Sequence, residues 1–149
     1  MSRFFTICLL LIVAACTESV FAQTQTYSTD ELRQHIKEAD VIFVGTVRAI
    51  VPQKSDSDLY DPQWRFATVE VSEVFDGRLF APMVLVKFSA QYDRYWMSSP
   101  KLNLGQEYVF ILRWTLERSY FVASEQLDAH VIRHKYEIRD LITEIKKSK

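Results

Sequence analysis

Cysteine, glycine and proline are all scarce in this chain of 149 residues. The two cysteines, Cys8 and Cys16, both lie near the N-terminus, which excludes a disulfide framework spread along the chain. Three glycines are too few for a glycine-rich loop that cradles phosphate. Neither sign of charge is in excess: 18 Lys and Arg stand against 19 Asp and Glu, a net charge of -1. That balance removes the electrostatic footprint of a nucleic-acid binder and of an acidic solvating tail. No apolar run reaches the ~20 residues that a membrane-spanning helix needs. What is present is a globular composition, 48% hydrophobic, 25% charged and 13% aromatic, in a length that one domain fills.

Residues 1–22, MSRFFTICLLLIVAACTESVFA, have the plan of a secretory signal peptide. Arg3 is the positive start, residues 4–15 are apolar apart from Thr6, and Val20 and Ala22 flank Phe21 at a cleavage site. Cleavage there leaves residues 23–149 as a single domain without cysteine, which has to fold on packing alone. A second route is also open. Val13-Ala14-Ala15-Cys16 reads as a lipobox, in which Cys16 is lipidated and the lipid alone contacts the membrane. Both routes deliver the protein out of the cytoplasm, secreted or periplasmic, and a bacterial envelope suits a domain without disulfides.

The remaining sequence alternates little between helix and strand. Ser28 and Glu31 are spaced as a capping box, and Leu32, His35, Ile36 and Ala39 follow on one helical face. Residues 41–51, VIFVGTVRAIV, are rich in β-branched side chains and predict a strand that Pro52 ends. Further strands are predicted at 64–75, 82–90, 107–114 and 119–124, the second closing at the turn Asp76-Gly77. Residues 130–147 predict a C-terminal helix, with Ile138, Leu141, Ile142 and Ile145 on one face and lysines at its end. The fold class is therefore α+β, mainly β: five antiparallel strands that can close a small barrel, with a short N-terminal and a C-terminal helix, the alternative being a plain antiparallel sheet covered by the two helices. Gly45 in the middle of the most apolar strand marks a bulge or sharp bend, which such closure needs.

Three patches resemble the netrin-like domain of tissue inhibitors of metalloproteinases and their bacterial relatives. Residues 39–47, ADVIFVGTV, are similar to that family's opening strand. Residues 69–77, VEVSEVFDG, are similar to its second strand with the turn glycine, and residues 105–110, GQEYVF, to its Gly-x-x-Tyr segment. All three glycines fall in these patches, and the likeness covers roughly residues 29–125. The resemblance implies a five-stranded barrel of the oligonucleotide/oligosaccharide-binding kind, consistent with the strand count. It does not extend to the family's inhibitory chemistry, which uses an N-terminal cysteine in a Cys-x-Cys pair; residues 23–29 contain none.

Chemistry-bearing constellations are sparse. His130 and His134 are four apart in the predicted helix, a metal-ligand spacing, but the Glu of a zincin motif is absent and a solvated helix face is the plainer reading. His35 reads as half-buried packing. Asp56, Asp58 and Asp61 lack the glycine and late Glu of a calcium loop. Glu70 and Glu73 point to opposite sides of a strand and read as surface ion pairs. No catalytic residue, metal ligand or cofactor site is therefore assigned. The unusual surface is the loop at 91–99, where Tyr92, Tyr95 and Trp96 accompany Arg94 and Met97. Rings with an arginine are typical of an interface hot spot. Tyr92, Arg94, Tyr95 and Trp96 are the candidate partner-binding residues, with capping of the barrel end as the competing role. The function expected is a non-catalytic interaction module of the cell envelope with an unidentified protein partner and no nucleic acid. A metalloprotease inhibitor and a secreted enzyme are the alternatives.

Overall fold

The computed structural model describes residues 27–52, 63–92, 94–116 and 119–148. The predicted signal peptide, both cysteines and the acidic loop with Asp56, Asp58 and Asp61 lie outside these residues.

Helix α1 (Thr29–Glu38) starts as its capping box requires: Glu31 N–H donates to Ser28 Oγ at 3.2 Å, and the Glu31 carboxylate accepts from Ser28 N–H at 2.6 Å. Strands β1 (Val41–Pro52), β2 (Trp64–Asp76), β3 (Met83–Ser89), β4 (Glu107–Leu112), β5 (Phe121–Ala123) and β6 (Ala129–Val131) follow. A single turn at Ile132–His134 leads into helix α2 (Lys135–Lys147). The strand order is β5-β3-β2-β1-β4-β6, antiparallel throughout except that β5 runs parallel to β3. A lone bridge between Trp114 and Phe121 brings the chain after β4 beside β5, and the sheet curls into a half barrel.

Two apolar layers explain the strand sequences. Val41, Phe43, Val47, Val69, Val86, Phe110 and Phe121 fill the inside of the curl. Ile42, Val44, Val109 and Ile111 face outward against Leu32 and Ile36 of α1 and Ile138, Leu141, Ile142 and Ile145 of α2. Strands β1 and β4 are thus covered on both faces, which is why they read as apolar runs rather than alternating ones. Strand β2 is covered mainly on one side and does alternate.

Gly45 sits at a register shift between β1 and β2. A Cβ there would lie 2.5 Å from Val69 Cγ1, so the bulge needs its bare backbone. Gly77 has φ +78°, and the turn it makes presses on the Asp40 carbonyl.

Two corrections concern the C-terminal part. Among the described residues the sheet has the expected strands and one more, Ala129–Val131. The final helix starts at Lys135, not at residue 130. Residues 129–131 pair with Tyr108–Phe110 of β4, and that ladder overrides the local helical pattern. Among the described residues, no helix is long and apolar enough to cross a membrane.

Candidate functional site

An aromatic and basic surface occupies the outer side of β2 and β3 together with the loop that follows β3. Trp64 and Phe66 share parity on β2 and point outward, and the register sets Lys87 of β3 opposite Phe66. The Lys87 ammonium lies 4.9 Å from the Trp64 ring centre and 5.9 Å from that of Phe66. Tyr120 meets Phe66 edge to face at 5.5 Å. Beyond Tyr120, Phe80, Met83, Leu85 and Trp114 form an apolar cleft of about 290 Å³.

The loop is pinned at the Trp96 carbonyl. Ser99 Oγ and Lys101 Nζ each donate to it at 2.7 Å, and Ser99 N–H donates at 3.1 Å. Trp96 therefore turns back onto the sheet and meets Trp64 edge to face at 5.2 Å. Tyr92 and Tyr95 stay outside, 72% and 66% exposed. Lys101 sits 5.3 Å from the Tyr92 ring, and Arg94 5.6 Å from the Tyr95 ring. So the structure separates the four candidate residues: Trp96 supports the loop, and Tyr92, Arg94 and Tyr95 form its exposed rim. Trp96→Ala is expected to lower stability by about 2 kcal/mol, the cost of truncating a half-buried ring, measured by chemical denaturation. No sequence spacing groups Trp64, Phe66, Lys87 and Tyr120; only the β2–β3–β5 register brings them together.

A second cluster joins both helices to the sheet edge, and it contains all three histidines of the chain. His130 does not lie on a solvated helix face as the spacing suggested. It is in β6, 5% exposed. Its Nε2 lies 2.9 Å from the Leu127 carbonyl, which can only accept, so Nε2 carries the hydrogen. Its Nδ1 then accepts from the Tyr27 hydroxyl at 2.8 Å. Burial pushes the imidazole down to about 4, and the nearby His134 and His35 reinforce this against the Leu127 hydrogen bond. His134 precedes α2; it accepts from Arg133 at Nε2 and contacts the Glu137 carboxylate through Nδ1 at 3.2 Å.

His35 is fully buried rather than half-buried. Its Nε2 lies 3.0 Å from Asp128 Oδ1, and its Nδ1 is 3.8 Å from Glu125 Oε2. The other Asp128 oxygen accepts from the backbone N–H groups of Ser124 and Glu125 at 2.8 and 2.7 Å. These three side chains converge within 4.8 Å, and with His35 on one Asp128 oxygen and two backbone N–H groups on the other they form a hydrogen-bonded clasp. Glu70 and Glu73 are ion-paired as expected, with Arg48 and with Lys135 respectively.

No known family model matches this chain, and no curated protein matches it.

Proposed function

We propose that the protein is a non-catalytic binding module of the secreted cell envelope, built on a netrin-like barrel, which docks a protein partner through Tyr92, Arg94 and Tyr95. The bridge between Trp114, just after β4, and Phe121 of β5 brings the two ends of the five-strand curl near one another, which supports the reading of a five-stranded barrel. The sixth strand and the two helices then lie outside it. The observation that carries the functional reading is the rim itself. Exposed tyrosines with a neighbouring guanidinium are the side chains that dominate binding energies, and here hydrogen bonds at the Trp96 carbonyl fix the backbone that presents them. The apolar cleft beside Tyr120 gives such a partner a concavity to fill.

The test is capture from envelope extract by the purified chain, wild type against Tyr92→Ala with Tyr95→Ala. Both rings are exposed, so the double variant should lose less than about 1 kcal/mol of stability while capture drops at least tenfold. Undiminished capture by a folded double variant would remove this surface from consideration.

A further inference from the structure

The histidine seam is a hydrogen-bonded closure between the N-terminal part of the chain and the sheet edge. Tyr27 and His35 come from one side; Glu125, Asp128 and His130 come from the other. His134 and Glu137 face His130 from the turn and α2. We propose that this seam is a pH-responsive latch, in which protonation of His130 loosens Tyr27 and α1 from β6 and the β5–β6 loop while the central strands stay paired.

The hydrogen-bond pattern is complete only for the neutral ring, which donates once to Leu127 and accepts once from Tyr27. An added proton reverses the Tyr27 hydrogen bond and leaves a buried cation between two other imidazoles. The acidic groups nearby are already committed. Asp128 holds His35 and two backbone N–H groups, and Glu137 holds His134. Strain from the charge therefore falls on the attachment of Tyr27 and α1. The part that yields is at the edge of the fold: β6 is three residues long and pairs with β4 alone.

The direction follows from the depressed His130 value. A histidine that is neutral in the closed seam but ordinary when released favours closure fully above about 6.5. That preference is lost as the pH falls toward 4.

Hydrogen exchange read by mass spectrometry, corrected for intrinsic rates, decides the matter on the full mature chain. Between pH 7.5 and pH 5, amides of α1 should open roughly 30-fold more often, while those of β1 and β4 keep their protection. In His130→Gln the amide can still donate to Leu127 and accept from Tyr27 but does not titrate. It should fold and lose the acid-induced opening. Should that variant fail to fold, the wild-type imidazole proton resonances carry the test. The latch requires the His130 titration to track α1 opening, with a midpoint near 4. Opening of helix and central strands together, unchanged α1 exchange, pH-dependent opening retained in His130→Gln, or a His130 midpoint near 6.5 would each overturn the proposal.

Discussion

Gly77→Ala is expected to destabilise the protein by about 3–4 kcal/mol, seen as a lower denaturant midpoint with an unchanged slope. Two separate penalties combine. Gly77 has φ +78°, a conformation that costs an L-residue about 1–2 kcal/mol. A Cβ there would also lie 2.2 Å from the Asp40 carbonyl oxygen, so the turn after β2 has to back away from the α1–β1 junction. Gly105 separates the two penalties. It has the same φ, but nothing lies within 4 Å of an added Cβ. Gly105→Ala should therefore cost only the conformational penalty, about 1–2 kcal/mol. Equal losses at the two glycines would show that close approach to Asp40 does not matter.

Asp128→Ala should cost a comparable amount, about 3–4 kcal/mol at neutral pH. The carboxylate is buried and accepts from the Ser124 and Glu125 backbone N–H groups while facing His35. Truncation leaves these donors facing a small dry gap, and each unsatisfied buried donor costs roughly 1–3 kcal/mol. Asp128→Asn keeps an acceptor oxygen and should lose about half as much. Chemical denaturation of the two variants provides the comparison. A loss below about 1 kcal/mol in Asp128→Ala would mean that water replaces the carboxylate and that the clasp contributes little.

How much could be read in advance followed the range of the interactions. The capping box of α1 is local, three residues across, and Ser28 and Glu31 form it as the spacing requires. The apolar runs of β1 and β4 announced strands because both of their faces are covered. Ala129–Val131 announced nothing. Its side chains fit a helical spacing with the segment after it, and only pairing with Tyr108–Phe110 makes it a strand. The same limit applied to the polar groups. His35 and Asp128 are 93 positions apart, and Tyr27 and His130 are 103 apart, so no spacing rule could join them. In the aromatic loop the composition was legible, but the division of labour was not. Which ring turns inward is decided by Trp64, on another strand.

The position of β1 also governs how the chain can assemble. Among the described residues it is the first strand in the chain, yet it forms hydrogen bonds on both edges, to β2 and to β4. Its second edge finds no partner until residues 107–112 exist, so a chain stopped before them leaves one edge of a long apolar strand unpaired. Such distant pairings close slowly, on a timescale of milliseconds to seconds. Until β4 has been synthesised, that edge is a ready template for pairing with another chain.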